Sequence, residues 1–203
     1  SKELLEKYGI RTTLPQLAKS PQETVELAKS IGFPVAMKVQ SEDISHKSDA
    51  NCVMLDIKDE ATAAKKFEEI LGNAKAYKHD ARIDGVSIQK MASSGGFEVI
   101  LGSKQDELFG PSVLFGMGGI AVEVIKDTSI MLAPINRNQA RSLVGSTKIG
   151  AMLKKGFRNQ PPANMALLEE TLIRFSELAA DFPEIKEMDI NPLKADDESC
   201  IVL

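Results

Sequence analysis

A lysine interrupts a short apolar run in the first quarter of the chain. Lys38 follows residues 35–37, Val-Ala-Met, and precedes Val39, and the run begins just after Gly32 and Pro34. A short apolar run bounded by glycine and proline is typical of a buried β-strand. Burying an unpaired ammonium group is costly, so Lys38 either binds an anion or extends its charged end to solvent at a strand end. Phosphate is the favoured anion, because it offers a compact charge to a lysine.

A histidine lies eight residues further on, at His46. It belongs to a polar segment, residues 41–51, that is too hydrophilic to form core. A lone surface histidine is usually only solvated, and the alternative is a role in chemistry. The neighbouring residues leave both interpretations open.

The composition predicts a globular protein in the cytoplasm. The 203 residues include 43% hydrophobic side chains, enough for one sizeable core or for two lobes that share a cleft. A net charge of −4 argues against a nucleic-acid partner, and neither a membrane-spanning stretch nor a signal-peptide core is recognisable. Cys52 and Cys200 have no metal-ligand spacing, so free thiols are expected.

Helix and strand signals alternate irregularly, which predicts an α+β protein rather than one doubly wound sheet. Ser20-Pro21-Gln22-Glu23 matches a capping box with proline at the first helical position. Apolar periodicity predicts helices at 2–8, 21–31, 60–77, 136–144 and 164–181, and strands around Lys38 and at 53–57, 85–91, 97–103, 111–115, 122–125, 130–132, 187–193 and 200–203.

A flexible polar connection at 92–96 is the expected junction between two lobes. The predicted domains are residues 1–91, an N-terminal part that includes the smaller lobe, and residues 92–203, the C-terminal lobe.

Three further features could carry chemistry. The glycine cluster at 116–119 could approach a ligand closely or simply form a turn. Glu98 interrupts an apolar strand and faces either solvent or a ligand. Asp189 and Asn191, two residues apart, share one face of a strand, which suits Mg²⁺ but also suits an ordinary surface strand. Taken together with Lys38, these features indicate a nucleotide-binding cleft without a P-loop.

Seven segments in order carry a resemblance to a known family: LLEKYGI from Leu4, IGFPVAMKV from Ile31, HKSD from His46, FGMGGIAVEVIKD from Phe115, LAP from Leu132, GFRNQPPA from Gly156 and LAADFPEIKEMDINPL from Leu178. The chain resembles the ATP-grasp domain of the ADP-forming acyl-CoA synthetases, the β-subunit type of acetyl-CoA synthetase, and more distantly the succinyl-CoA ligase β subunit. The resemblance implies an ATP-grasp fold of two α+β lobes with ATP or ADP and Mg²⁺ in a cleft between them.

The resemblance also implies site roles. Lys38 is expected to contact the nucleotide phosphates, and Gly118 and Gly119 belong to the nucleotide site. Asn191, and less strongly Asp189, are the expected Mg²⁺ ligands, Glu98 is expected to hold the nucleotide, and His46 is the expected phosphoryl carrier. A neutral imidazole suits this last role, because it can attack phosphorus near pH 7. The main chain of a hinge is expected to read the adenine edge; its residues are Gln89, Lys90, Met91 and Ala92.

The chain departs from the family pattern at three places. Ala50-Asn51-Cys52-Val53 stands where the family has a glycine pair after HKSD, and Lys90 stands where the hinge usually has glutamate. The family's second metal ligand is an aspartate just after the final strand, and the chain stops at Leu203. A domain cut from a longer protein is therefore expected, truncated just before its last metal ligand and lacking the CoA-binding part.

The implied reaction of the whole enzyme converts acyl-CoA, ADP and phosphate to acid, ATP and CoA through phosphohistidine, with a CoA-binding domain or α subunit as partner. Two rivals remain at this point. One is a protein-lysine acetyltransferase or other regulator with weak or lost nucleotide binding, which the missing glycines favour. The other is an assembly module that binds no nucleotide.

Overall fold

The computed structural model describes residues 2–44, 47–91, 95–119 and 127–203. The chain divides into a smaller unit, residues 13–92, and a larger unit, residues 1–12 and 93–203. The first helix, α1 (Lys2–Lys7), therefore belongs to the larger unit although 80 residues of the smaller unit follow it. Local sequence could not assign it, because the residues that bury Leu5 come much later in the chain.

The smaller unit is a four-stranded antiparallel sheet covered on one face by two helices. The strand order is β1-β4-β2-β3. Its elements are β1 (Gln16–Ala18), α2 (Pro21–Ile31), β2 (Val35–Gln40), β3 (Val53–Ile57), α3 (Glu60–Tyr77) and β4 (Gly85–Lys90). Met37, Phe67 and Ile88 are buried between the sheet and the helices. Because side chains alternate along a strand, Lys38 and Ser87, which are opposite each other, lie on the other face.

The caps of both helices agree with the sequence signals. The Ser20 side chain accepts a hydrogen bond from the Glu23 N–H at 3.2 Å, and Asp59 does the same for Thr62 at 2.8 Å. The Glu23 carboxylate accepts from the N–H of Lys19 at 2.7 Å, one residue before the cap. These short-range bonds satisfy helix N–H groups that lack an intrahelical partner, so local sequence is sufficient to place the helix starts.

The larger unit is a five-stranded antiparallel sheet with the strand order β7-β6-β5-β8-β9. Besides α1, it contains β5 (Phe97–Asp106), β6 (Gly110–Met117), β7 (Thr128–Leu132), α4 (Arg137–Gly145), α5 (Lys148–Lys155), α6 (Met165–Asp181), β8 (Glu187–Ala195) and β9 (Cys200–Val202). Its core joins one face of the sheet to the helices, with Leu101, Phe115, Leu143, Leu153 and Phe175 fully or almost fully buried.

The helix α5 and the strand β1 were not predicted. Thr147 caps α5 by accepting a hydrogen bond from the Gly150 N–H at 3.1 Å. The Asp127 carboxylate, about twenty residues away, adds hydrogen bonds from the N–H groups of Lys148 and Ile149 at 2.8 and 2.7 Å. β1 has only three residues and forms by pairing with β4. Both elements are short, so local periodicity gives little signal for them.

The predicted strand at 122–125 lies outside the described residues. Among the residues that the structure describes, none of the helices has the length and apolar character needed to cross a membrane.

Candidate functional site

Lys38 lies in the middle of β2 with its side chain half-buried. Val53 and Ser87 are its neighbours on the two flanking strands, β3 and β4. No residue in the described part of the chain forms an ion pair or a side-chain hydrogen bond with its ammonium group. Desolvation by burial lowers the pKa of Lys38 below its ordinary value. A partly desolvated cation without an anion is a site where a phosphate gains binding energy.

A second lysine contributes to the same electrostatic environment. The positive charge of Lys47 lowers the pKa of Lys38 further, so the two ammonium groups are close enough to interact. Two like charges repel each other, and an anion placed near both relieves that repulsion. Sequence reasoning missed Lys47, because a lysine next to His46 in a polar loop has no periodic signal.

The segment after HKSD keeps the backbone that glycines would allow. Asn51 has φ of 51°, in the left-handed region that asparagine tolerates better than most residues. Asn73 Nδ2 donates a hydrogen bond to the Asn51 carbonyl at 2.8 Å, and Cys52 is fully buried. The loss of the glycine pair is thus accommodated locally. His46 itself lies outside the described residues.

The hinge residues continue from β4. Gln89 is buried and, by alternation, shares the sheet face of Lys38 and Ser87. The Met91 N–H donates to the Pro34 carbonyl at 3.1 Å, so Met91 is paired toward β2. Antiparallel pairing alternates, so the main-chain groups of Lys90 point toward the opposite edge of β4. The pairing of β1 ends opposite Ile88 and does not reach Lys90.

The Lys90 side chain is occupied elsewhere. Its Nζ donates to the carbonyls of Gly32 and Phe33 at 2.6 and 3.2 Å, just beyond the end of α2. Lysine at this position therefore ties the hinge strand to the loop before β2. Because the Lys90 side chain bonds to this loop, it does not occupy the main-chain N–H and carbonyl groups of Lys90. Ala92 lies outside the described residues.

In the larger unit the structure brings four predicted residues together. The Gly119 N–H donates to Asn191 Oδ1 at 2.9 Å, and the Gly118 N–H donates to the Glu98 carbonyl at 2.9 Å. A Cβ on Gly119 would lie 2.6 Å from Glu98 Oε2, and one on Gly118 would lie 2.6 Å from the Val99 carbonyl carbon. Gly118 is therefore required by close packing against the β5 backbone, and Gly119 by its φ of 74°, whether or not a ligand is bound.

Asp189 and Asn191 are both exposed and alternate with half-buried Met188 and buried Ile190, so they share a face of β8. Partial burial, and next the nearby charge of Glu187, raise the pKa of Asp189. Asn191 Oδ1 and Glu98 Oε2 both lie close to Gly119. Mg²⁺ usually binds only one or two protein oxygens, and phosphate and water complete its coordination shell. This set of oxygen donors therefore fits Mg²⁺. The described residues contain no cluster of three or more histidine, cysteine or acidic side chains that could hold a metal on its own.

Comparison with known proteins gives the class of the domain. A family profile described as an ATP-grasp domain matches residues 1–203. The β subunit of acetate–CoA ligase [ADP-forming] I of Pyrococcus furiosus is 41% identical over 203 residues, which are 100% of this chain and 87% of that protein. The single-chain acetate–CoA ligase [ADP-forming] I of Archaeoglobus fulgidus is 44% identical over 191 residues, which are 94% of this chain and 27% of that protein.

Solved structures agree. The dinucleotide-forming acetyl-coenzyme A synthetase 1 of Ca. Korarchaeum cryptofilum, in complex with coenzyme A, Ca-AMPCP and HgCl⁺, superposes with a TM-score of 0.92 at 36% identity and covers 100% of this chain and 87% of that one. A second form of it holds coenzyme A and Mg-AMPPCP, with its phosphohistidine segment pointing towards the nucleotide binding site (TM-score 0.87, 33% identity, 100% and 86% coverage).

The fold is thus the α+β ATP-grasp fold, as the sequence indicated. The chain belongs to the ATP-grasp domains of the ADP-forming acetate–CoA ligases. It spans about a quarter of the single-chain relative and most of the β subunit, so further domains or subunits accompany such domains in these relatives.

Proposed function

We propose that this chain binds ADP or ATP with Mg²⁺ as part of an ADP-forming acyl-CoA ligase. The complete enzyme would convert acyl-CoA, ADP and phosphate to the free acid, ATP and CoA. The observation that carries the proposal is Lys38, a half-buried ammonium group with no anion among the described residues. The nucleotide analogues in the related structures support the same ligand class.

In the smaller unit, the nucleotide phosphates would meet Lys38 and Lys47. The adenine edge would be read by the main chain of the hinge, residues 89–92, where the carbonyl of Lys90 points beyond the end of β1. A main-chain carbonyl accepts a hydrogen bond from an exocyclic amino group, which adenine has and guanine lacks at that position. The side chain at position 90 is not needed for this contact, so lysine there is compatible with adenine recognition.

In the larger unit, Asn191 would be the first Mg²⁺ ligand and Asp189 the weaker candidate, with Glu98 beside them. When bound, the ion would neutralise negative charge on the phosphates. Gly119 orients the Asn191 amide through its N–H, because the hydrogen bond leaves the second lone pair of Oδ1 available. The chain's own contribution is therefore to hold one oxygen in a fixed direction.

His46 would carry the phosphoryl group. Attack of inorganic phosphate on the thioester of acyl-CoA releases CoA and gives an acyl phosphate on the CoA side. A ring nitrogen of neutral His46 then forms an N–P bond as the bond from phosphorus to the carboxylate oxygen breaks, releasing the acid. Transfer to ADP breaks the N–P bond and forms a P–O bond to its terminal oxygen, which regenerates the neutral imidazole.

The partner would be the CoA-binding subunit or domain of the same enzyme, since CoA chemistry needs a site outside this chain. The relatives are ligases, which favours this function over a nucleotide-poor acetyltransferase-type regulator and over an assembly module. The left-handed backbone of Asn51, which a glycine would also adopt, supports retained nucleotide binding.

The test combines calorimetry with turnover. Mg-ADP should bind to the chain, and His46→Ala should leave that binding nearly intact while abolishing ATP formation in the complete enzyme. Failure of the chain to bind Mg-ADP would support the assembly module. A His46→Ala enzyme that still forms ATP from acyl-CoA at the normal rate would remove the phosphohistidine step and leave nucleotide binding standing.

A further inference from the structure

In the described part of the larger unit, helices cover one face of the five-stranded sheet and leave the other face open. Val99, Leu101, Val113 and Phe115 point toward the helices and are buried. By alternation, the residues between them point the other way. Register places Ile130, Leu114, Gly102 and Asp189 in one row across this open face, and Leu132, Ser112, Lys104 and Glu187 in the next row.

The two ends of this face differ in polarity. At the β8 end the rows finish in the carboxylates of Glu187 and Asp189, which are exposed. At the β7 end they finish in Ile130 and Leu132, whose side chains are 63% and 53% exposed. Antiparallel sheets that face water on one side normally carry polar residues there. Among the described strands β7 is also at the edge of the sheet, and an apolar edge strand favours association.

The hairpin between β5 and β6 extends the same surface. Leu108 and Phe109 at its tip are 87% and 71% exposed. The Asp106 carboxylate accepts hydrogen bonds from both of their N–H groups, at 2.9 and 3.0 Å, which stabilises the turn at the tip. The Ala133 N–H donates to the Pro111 carbonyl at 2.8 Å, which fastens the end of β7 beside the start of β6, next to this tip.

Leu108, Phe109, Ile130 and Leu132 together form what we call the apolar edge. Single exposed apolar residues are ordinary, but four large ones on neighbouring segments, a hairpin tip and an edge strand, mark an interaction surface. The apolar edge carries no group that would bind phosphate or a metal. A macromolecular surface is therefore the occupant that its chemistry fits.

We propose that the apolar edge is the docking surface for the CoA-binding subunit or domain of the ligase; this rests on the proposed function. The occupant follows from the relatives, in which this domain is either a separate β subunit or 27% of one long chain. The remainder of such an enzyme requires an interface on this domain. The partner surface should be apolar where it meets Ile130 and Leu132.

The test uses the complete enzyme with a photoreactive p-benzoylphenylalanine in place of Leu132, and in a control enzyme in place of Tyr77. Tyr77 is equally exposed, at 53%, but lies at the end of α3 in the smaller unit. Irradiation should link position 132 to peptides of the CoA-binding part, and position 77 should give no such product. Links to a second copy of this chain, or none at all from position 132, would overturn the proposal.

A second measurement separates docking from nucleotide binding. Ile130→Glu with Leu132→Glu places two carboxylates on the apolar edge, and we expect a loss of about tenfold or more in ATP formation by the complete enzyme. ADP affinity should stay unchanged, since neither residue belongs to the proposed nucleotide site, and Tyr77→Glu should alter neither quantity. Normal turnover in the double variant would contradict docking at this surface. If the unmodified enzyme failed to bind ADP, the proposed function would be contradicted, while the cross-linking result would remain valid.

Discussion

The backbone N–H of Gly119 donates a hydrogen bond to Oδ1 of Asn191 at 2.9 Å, across 72 residues of sequence. This bond fastens the end of the glycine cluster to the strand that carries the candidate metal ligands. It also sets the direction of the Asn191 amide, because an oxygen that accepts one hydrogen bond presents its second lone pair at a defined angle. The Gly119–Asn191 hydrogen bond and the surroundings of Lys38 and Lys90 can each be tested by substitution.

Gly119→Ala should destabilise the protein by about 1 to 3 kcal/mol. The residue has φ of 74°, a left-handed conformation that opposes a side chain, whereas the Glu98 carboxylate nearest the added Cβ can move aside. Urea denaturation measures the change. Gly72→Ala is the matched control: it lies inside α3 with nothing within 4 Å of an added Cβ, and alanine there should stabilise the helix by about 0.5 to 1 kcal/mol. Equal effects of the two variants would contradict the conformational requirement for glycine at position 119.

Asn191→Ala should reduce the enhancement of ADP affinity by Mg²⁺, while ADP affinity without the ion changes little. The amide oxygen is a candidate ligand and does not itself need to touch the base or ribose. Asp189→Asn should have a smaller effect, because it keeps an oxygen donor at that position. Calorimetric titrations with ADP, with and without Mg²⁺, measure both quantities. An unchanged Mg²⁺ effect in Asn191→Ala would exclude it as a ligand.

Lys38→Ala should weaken ADP binding by about 10- to 100-fold, since a charge-assisted contact contributes about 1.5 to 3 kcal/mol. Lys58→Ala is the control: this lysine pairs with Asp56 at the surface of the same unit, and such exposed pairs contribute little. If Lys38→Ala behaves like Lys58→Ala, Lys38 does not bind phosphate.

The pH dependence of ADP binding should report the lowered pKa of Lys38. Bound phosphate stabilises the ammonium form and so raises the pKa in the complex above that of the free protein. Affinity is therefore full below the pKa of free Lys38 and falls as pH rises through it, before the ordinary lysine value of 10.5 is reached. Lys38→Arg should remove this decline, because arginine remains charged. Titrations without metal at increasing pH measure the profile; identical profiles for lysine and arginine would refute this origin.

Lys90→Met should cost about 1 kcal/mol of folding free energy by removing the bonds to the Gly32 and Phe33 carbonyls. ADP affinity and the preference for ADP over GDP should be retained, because the proposed adenine contact uses the main chain. Lys58→Met serves as the control for removing an exposed lysine, with little expected effect on stability. Loss of ADP binding in Lys90→Met, at unchanged stability, would mean that the ammonium group itself contacts the nucleotide.

The elements that the sequence predicted well are those whose signals are local. α2 and α3 start at Ser20 and Asp59 because their caps bond within three residues, and α6 follows from apolar residues at helical spacing. α5 and β1 were not predicted, because α5 has only eight residues and includes Gly150, and β1 forms through pairing with β4. The same distinction applies to the site. Lys38 could be predicted because it interrupts an apolar run, whereas no sequence pattern marks Lys47.

The sequence by itself determined the chemical types at the site: a lysine in a buried strand, a glycine cluster, and two oxygen-bearing side chains on one strand face. It determined the helix starts as well, because capping and periodicity act over a few residues. Only the tertiary structure decided that Gly119 meets Asn191, that Gly118 is required by packing against β5, and that the Lys90 side chain is used by the loop before β2. Two of these contacts join residues 58 and 72 positions apart, and the third joins Gly118 to the neighbouring strand. They stabilise the protein only once the sheets have formed, so the local sequence does not reveal them.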